Sequence, residues 1–130
     1  MYEMPRPELV EQIYTLVCQI PHGMVSSYGD VAQIIGDGLD GRAVGVALGA
    51  LPAALQNRVP WQRVVSQSGA ISTRGLQQRA LLEAEGVAFD AEDRIIMARH
   101  RWAGPAAAAC TVHSWQPLPP RAASEQLSLF

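Results

Sequence analysis

Apolar residues recur at helical spacing along the first part of the chain. The residues that share this face are Leu9, Ile13, Leu16, Val17 and Ile20. Because residues three and four apart lie on one side of a helix, the pattern predicts an amphipathic helix from Pro7 to Ile20.

Two shorter helices are predicted next, joined by a glycine-rich turn. Ser26 and Ser27 offer an N-cap for the second helix, and residues 36–38 end it. The third helix runs from near Asp40 to about Leu51. Two short helices connected in this way are typical of a helix-turn-helix motif.

The middle of the chain predicts a small wing. Residues 64–65 and 70–71 are apolar and flank a Gln-Ser-Gly turn, which indicates a short β-hairpin. Residues 77–85 predict another helix, and residues 93–102 fit either a strand or a helical turn. The predicted fold class is mainly α with a small β-hairpin wing, a winged helix-turn-helix DNA-binding domain.

The composition changes after Trp102. Runs of Ala and Pro from residue 103 onward are typical of linkers. We therefore expect one folded domain over residues 1–102 and a flexible tail over residues 103–130.

Targeting signals and metal motifs are not evident. No apolar run approaches the roughly 20 residues of a membrane span, and the N-terminus lacks the charged and apolar regions of a secretory signal. Cys18 and Cys110 have no metal-like spacing. We expect a cytoplasmic protein that needs no cofactor.

Arginines are concentrated in the middle of the chain. The formal net charge is −2, yet residues 42–82 contain five arginines and no Asp or Glu. A local positive field of this kind attracts phosphates even when the total charge is slightly negative. The alternative is a set of solvated arginines without a ligand.

The third predicted helix has a face of very small side chains. These residues are Gly41, Ala43, Gly45, Ala47 and Gly49. Since Gly in a helix costs about 1 kcal/mol relative to Ala, the pattern indicates that another group comes close to this backbone. That group is either a neighbouring helix or a DNA groove.

Several residues along the chain resemble the DNA-binding domain of the O6-alkylguanine-DNA alkyltransferases. They are Tyr28, Arg42, Pro60-Trp61-Gln62-Arg63-Val64, Ser68-Gly69-Ala70 and Glu85-Gly86. The resemblance covers about residues 8–90. In that family the reactive segment reads Pro-Cys-His-Arg-Val and lies between a helix-turn-helix and a hairpin, as the corresponding segment does here.

The reactive segment departs from the family pattern at two positions. Trp61 stands where the family has its acceptor cysteine, and Gln62 stands where it has histidine. Alkyl transfer needs a thiolate activated by a base, which an indole and an amide do not supply. With a tryptophan at this position, the chain resembles the alkyltransferase-like proteins. The resemblance therefore implies a protein that flips O6-alkylguanine out of duplex DNA without repairing it and flags it for nucleotide excision repair.

The resemblance also implies a DNA-binding surface on the second and third helices. Arg42 would fill the gap that a flipped base leaves, with Ser27, Ala43 and Gly45 beside it at the DNA. Tyr28 would press on the phosphate of the flipped nucleotide, or would only be a partly buried aromatic residue.

The resemblance implies that three further residues line the lesion pocket together with Tyr28. Trp61 and Val64 would give an apolar wall to the alkyl group, although a tryptophan of the core is the alternative. Arg74 stands where the repair enzymes usually have tyrosine and alkyltransferase-like proteins have arginine. It would donate to the flipped guanine, or it would lie on the surface near a phosphate.

Other residues of the motif are expected to brace the pocket. Pro60 and Gln62 flank the tryptophan, and Arg63 is expected to bond backbone carbonyls or Glu85. Asn57 is assigned the part of the family's hinge asparagine, in a loop about two residues longer than in typical members.

The last five residues closely resemble the peptide by which bacterial proteins dock on the sliding clamp of DNA polymerase. They are Gln126, Leu127, Ser128, Leu129 and Phe130. Such a peptide lies extended with its Leu and Phe side chains in an apolar pocket. Packing on the chain's own domain is the alternative.

Two other function classes are consistent with parts of the sequence. A winged helix-turn-helix transcriptional regulator would need base-reading side chains on the third helix. An active transferase would need a displaced nucleophile at Cys18, which is otherwise expected in the core, or at Cys110 in the tail. The expected partners are damaged double-stranded DNA, excision-repair proteins and the sliding clamp, with the protein acting as a monomer.

Overall fold

The computed structural model describes residues 3–71 and 75–119, with the side chains of residues 75 and 76 left out. The described residues form helices α1 (Pro7–Val17), α2 (Tyr28–Ile35), α3 (Gly41–Gly49), α4 (Gly75–Ala84), α5 (Met97–His100) and α6 (Ala107–His113), and strands β1 (Ser26–Ser27) and β2 (Val64–Val65). The mainly α fold class with a helix-turn-helix is confirmed. None of the described helices is long and apolar enough to cross a membrane.

Helices α1, α2 and α3 pack their apolar faces into the main core. Its fully buried members include Ile13, Leu16, Val31, Ile34, Val44 and Ala47. The apolar face predicted for the first helix is thus confirmed, but α1 ends at Val17 rather than Ile20. The N–H groups of Gln19 and Ile20 bond carbonyls three residues back, which tightens the chain into a turn.

The helix-turn-helix is set by short-range capping. The hydroxyl of Ser27 accepts a hydrogen bond from the N–H of Asp30 at 3.0 Å, and the carboxylate of Asp40 accepts one from the N–H of Ala43 at 2.9 Å. Gly36, with φ 76°, ends α2 in a conformation that favours glycine. These caps occur where the sequence predicted them, because each depends on residues within one turn.

The predicted hairpin is replaced by a different strand pairing. Strand β2 pairs in parallel with β1, so that Val64 lies opposite Ser26. After β2 the chain turns sharply, and the N–H of Ser66 donates to the carbonyl of Ala70 at 3.1 Å. Gly69 lies directly against the backbone of Ile95, where a Cβ would meet the Ile95 carbonyl oxygen at 2.5 Å. This contact directs the turn toward residue 95 instead of along β2.

A second, smaller core lies under α4 and the segment that follows it. Its buried members are Val25, Val65, Leu82, Val87 and Ile95. Both predicted possibilities for residues 93–102 occur in part, since Ile95 forms an antiparallel bridge with Phe89 and the helical turn α5 follows. Arg101 then forms a parallel bridge with Val25, which connects this segment to the residue just before β1.

Residues 103–119 pack on the domain, so the expected flexible linker is wrong for this segment. Trp115 is buried in the main core, and its indole Nε1–H donates to Gln12 Oε1 at 2.7 Å. The N–H of Gln116 donates to the carbonyl of Ile34 at 2.7 Å. The Ala- and Pro-rich composition concealed this packing, which involves the buried Trp115 and the partly buried Ala109, Cys110 and Leu118. Residues 120–130, which include the clamp-like peptide, lie outside the described residues.

Candidate nucleic-acid interface

Trp61 is positioned by a tight turn at the proline that precedes it. Pro60 has φ −76° and ψ 65°, which is the conformation of an inverse γ-turn. The N–H of Trp61 closes that turn by donating to the carbonyl of Val59 at 2.7 Å. Residues Trp61–Arg63 then form a short 3₁₀ turn that leads into β2. The indole is therefore held half-buried at the edge of the main core.

A small pocket of about 70 Å³ lies beside Trp61, at the C-terminal end of α3. The other residues of its wall are Leu48, Gly49, Leu51, Gln56 and Gln77. Leu48 and Gly49 belong to the last turn of α3, and Gln77 belongs to α4. We call this cavity the inner pocket.

The small residues of α3 serve two purposes. A Cβ at Gly41 would lie 3.3 Å from the backbone N of Gly29, and one at Gly45 would lie 3.9 Å from the Tyr28 ring. The N-terminal part of the helix is therefore bare because α2 packs against it. A Cβ at Gly49 would meet nothing within 4 Å. This glycine instead leaves room beside the inner pocket.

Tyr28 and Arg42 lie near each other in the helix-turn-helix but in different environments. Tyr28 is the first residue of α2 and is half-buried, and its ring packs against Gly45. Arg42 is exposed in the first turn of α3. The structure thus gives Tyr28 a packing role between the helices and leaves the Arg42 side chain on the surface.

Three residues expected at the DNA or in the pocket have buried side chains. Ser27 is buried and its hydroxyl caps α2, while Ala43 is buried in the first turn of α3. Val64 is fully buried in β2 and belongs to the core rather than to the described wall of the inner pocket. The structure therefore shows helix capping for Ser27 and burial for Ala43 and Val64.

Glu85 connects the reactive-segment residues to the rest of the domain. Its carboxylate accepts hydrogen bonds from Arg63 Nε at 3.0 and 3.1 Å, from Gln62 Nε2 at 2.9 Å and from the N–H of Gly23 at 3.0 Å. Arg63 also donates through Nη1 to the carbonyl of Ile20 at 2.8 Å. The expected bracing by Arg63 is therefore confirmed, including both the carbonyl and the Glu85 contact.

The pKa of Glu85 lies below its ordinary value. Burial alone would raise the pKa, but the hydrogen bonds from Arg63, Gly23 and Gln62 and the Arg63 charge together outweigh burial. The carboxylate is thus ionised at neutral pH, and the Gln62 amide is held as a donor to it.

Gln78 is a bracing residue that the sequence did not predict. Its buried side chain donates through Nε2 to the carbonyls of Gln62 and Val64, each at 3.1 Å. Gln78 lies four residues before the buried Leu82, so it is a polar residue on the apolar face of α4. That position is the signal that could have identified it.

Two of the mid-chain arginines are neutralised by carboxylates. Arg63 pairs with Glu85, and Arg79 pairs with Glu83 and Asp93. Arg42 and Arg58 are exposed. The positive region inferred from the sequence is therefore smaller in three dimensions than along the chain.

The remaining predicted residues have mixed outcomes. Asn57 is exposed, and the neighbouring Gln56 donates to the carbonyl of Leu51 at 3.5 Å instead. Arg74 lies outside the described residues. Cys18 is exposed rather than in the core, at the end of α1, and its thiol donates to the carbonyl of Arg58 at 3.6 Å.

A second and larger cavity, of about 410 Å³, also has Trp61 in its wall. We call it the outer cleft. Cys18 and Arg58 lie in its wall, and it shares Gln56, Trp61 and Gln77 with the inner pocket. Burial raises the pKa of the Cys18 thiol, although the Arg63 charge partly opposes this. The thiol is therefore protonated at neutral pH.

Comparisons with known proteins agree on one family. A family model described as the DNA-binding domain of 6-O-methylguanine DNA methyltransferase matches residues 8–87. A protein of Vibrio parahaemolyticus named DNA base-flipping protein is 37% identical over 98 residues, which are 73% of this chain and 96% of that protein. An Escherichia coli protein of the same name is 39% identical over 95 residues, which are 71% of this chain and 72% of its own length.

The fold is also similar to a solved complex with DNA. The crystal structure of S. pombe Atl1 with damaged DNA containing O6-carboxymethylguanine matches with a TM-score of 0.65 and 32% sequence identity. The match covers 76% of this chain and 98% of Atl1.

Proposed function

The chain belongs to the family of the 6-O-methylguanine DNA methyltransferase DNA-binding domain, and on this basis we propose that it binds O6-alkylguanine in duplex DNA, flips the nucleotide and does not accept the alkyl group. A protein that examines the O6 atom of a stacked guanine must first extrude the base, at a cost of a few kcal/mol that is smaller for damaged pairs. The names of the bacterial relatives, and the DNA complex of Atl1, support this activity.

The observation that carries the proposal is the position of Trp61. Its indole lies at the inner pocket, where α3 ends and where the reactive segment begins. An aromatic wall at this point stabilises a flipped base, since each base–aromatic contact is worth about 1–3 kcal/mol. Arg42 is exposed on the same helix and is suited to fill the gap in the base stack, because a guanidinium both stacks and donates hydrogen bonds.

The absence of transfer is supported by the chemistry of the residues beside the pocket. Gln62 donates to Glu85 and has no basic nitrogen with which to activate a nucleophile. Cys18 lies in the wall of the outer cleft together with Trp61. Its thiol has a raised pKa and donates to the Arg58 carbonyl. A protonated thiol is a poor nucleophile.

A comparison of modified and unmodified duplexes tests the proposal. The full chain should bind an O6-methylguanine duplex at least tenfold more tightly than the same duplex with guanine, by electrophoretic mobility shift at several salt concentrations. Trp61→Ala should reduce this preference, whereas Val112→Ala, on an exposed residue of α6, should leave it unchanged. Equal affinity of the wild-type chain for the two duplexes at every salt concentration would refute the proposal.

We further propose that the bound protein flags the lesion for excision-repair proteins in the cytoplasm and that its last five residues bind the sliding clamp. The support for clamp binding is the Gln-Leu-Ser-Leu-Phe sequence at residues 126–130. Immobilised clamp should retain the full chain but release the Leu127→Ala and Phe130→Ala double variant. Equal retention of both chains would exclude this contact.

A further inference from the structure

The outer cleft is suited to a ligand rather than only to water. Its volume of about 410 Å³ is within the range of small-molecule sites. The two cavities are neighbours, because Trp61, Gln56 and Gln77 belong to the walls of both. Gln56 and Gln77 are exposed and unbranched, so they can move aside at low cost.

The charge of the outer cleft is positive. Its described wall contains no acidic residue, and it contains two arginines, Arg58 and Arg63. Glu85 neutralises Arg63 at 3.0 Å, so Arg58 supplies the uncompensated charge of the described wall. Arg58 also lines a separate groove along α1. The acidic residue in the described wall of that groove is Glu11.

The backbone of Arg58 is held in place from two directions. Its N–H donates to the carbonyl of Leu55 at 2.9 Å, and its carbonyl accepts the Cys18 thiol at 3.6 Å. The second contact connects the loop to the end of α1. Arg58 therefore starts from a fixed position at the cleft, although its long side chain is exposed.

We propose that the outer cleft receives the distal part of an O6 substituent, and that Arg58 makes the protein favour substituents that end in a carboxylate. This inference rests on the proposed function, because the flipped guanine must lie against Trp61 for its O6 substituent to extend toward the outer cleft. A methyl group adds only one carbon beyond O6, so we expect it to end near the indole rather than at Arg58. A carboxyalkyl group is longer, and its charge pairs with the guanidinium in a charge-assisted hydrogen bond.

The test compares three lesions that differ only in the O6 substituent. They are O6-methylguanine, O6-carboxymethylguanine and its neutral amide analogue, each in the same duplex. The full chain should bind the carboxymethyl duplex more tightly than the amide duplex. Arg58→Gln should weaken the carboxymethyl complex about fivefold, the upper range for an exposed ion pair, and change the other two less than twofold. Arg58→Lys should retain most of the preference.

Arg99→Gln is the matched control, since Arg99 is an exposed arginine on α5 and removing it changes the net charge equally. It should leave the ratio of carboxymethyl to amide affinity unchanged. An equal loss of affinity for all three duplexes in Arg58→Gln would mean that Arg58 contacts phosphate, and the inference would fail. A wild-type chain that prefers O6-methylguanine over guanine but rejects carboxymethylguanine would also overturn it, while leaving the proposed function intact. A chain with no preference for any lesion would instead refute the proposed function.

Discussion

Arg63 and Glu85 form an ion pair in which Arg63 Nε lies 3.0 and 3.1 Å from the two carboxylate oxygens. Their side chains are only 16% and 7% exposed. The pair connects three segments that are far apart in the chain, because Arg63 also donates to the carbonyl of Ile20 and Glu85 also accepts from Gly23. The position of the pocket therefore depends on this pair.

Removal of the carboxylate should destabilise the whole domain. Glu85→Ala leaves the Arg63 charge buried without its partner, and we expect the free energy of unfolding to fall by about 3 kcal/mol in urea denaturation followed by circular dichroism. Glu83→Ala is the control, because Glu83 forms a largely exposed pair with Arg79 and should cost less than about 1 kcal/mol. Equal losses in the two variants would show that the buried pair has no special weight.

The same carboxylate should make stability depend on pH in the acidic range. The pKa of Glu85 is lower in the folded chain than in the unfolded chain, where a glutamate has a pKa of about 4.3. Its contribution is thus fully present above that pH and is lost as the pH falls through the lower, folded pKa. Between pH 5 and pH 3, roughly the window set by that value, Glu85→Gln should lose less stability than the wild-type chain. Parallel curves for the two proteins would contradict this assignment.

A side chain at Gly49 should block the inner pocket without unfolding the domain. Nothing lies within 4 Å of a Cβ at this position, and leucine is a good helix former. We expect Gly49→Leu to lower the affinity for an O6-methylguanine duplex by about tenfold, which is one aromatic contact, with little change in thermal stability. Ala98→Leu, on exposed α5, adds comparable apolar surface away from the pocket and should leave binding unchanged.

The parts of the fold that the sequence predicted are those with short-range causes. The bounds of α2 and α3 follow from Ser27, Gly36 and Asp40, and each of these signals acts within one helical turn. The pairing of β2 with β1 joins Ser26 to Val64 across 38 positions, counted as 64 minus 26, and no local pattern specifies it. The apolar residues on both sides of the 67–69 turn predict a hairpin, but a turn of this kind does not specify which strand pairs with β2.

The site shows the same division. The sequence predicts the contact of Arg63 with Glu85, whereas Val64, which the resemblance assigns to the pocket wall, is fully buried, because a motif does not show which of its residues face the core. Cys18 was expected in the core, but α1 ends one residue earlier and turns the thiol to the outer cleft.

A cysteine at position 61 should not by itself restore alkyl transfer. In Trp61→Cys the new thiol would still lie beside Gln62, whose amide donates to Glu85 and cannot take a proton. We expect intact-mass measurement to show no added methyl group after incubation with an O6-methylguanine duplex. The double variant Trp61→Cys with Gln62→His places an imidazole between the thiol and Glu85, an arrangement that activates nucleophiles. A fraction of this variant should therefore carry an added methyl group. Full methylation of the single variant would contradict the role given to Gln62.

The segment after Trp102 should be needed for stability. Trp115→Ala removes a buried indole and its hydrogen bond to Gln12, and should lower the free energy of unfolding by about 3–5 kcal/mol. Gln116→Ala is the adjacent control and should have little effect, because Gln116 is exposed and bonds Ile34 through its backbone. If the free energy of unfolding of Trp115→Ala in urea equals that of the wild-type chain, the segment after Trp102 does not stabilise the domain and acts as a linker.

The three tryptophans occupy unequal environments, since Trp102 and Trp115 are buried and Trp61 is half-exposed at the inner pocket. The two buried indoles are shielded from a dissolved quencher such as iodide, and they give a constant fluorescence background. The variable part of the emission then comes from Trp61, which lies at the pocket where we propose that a flipped base enters. The protein thus contains an intrinsic probe with which the rate of base entry can be followed in real time, without any dye on the DNA.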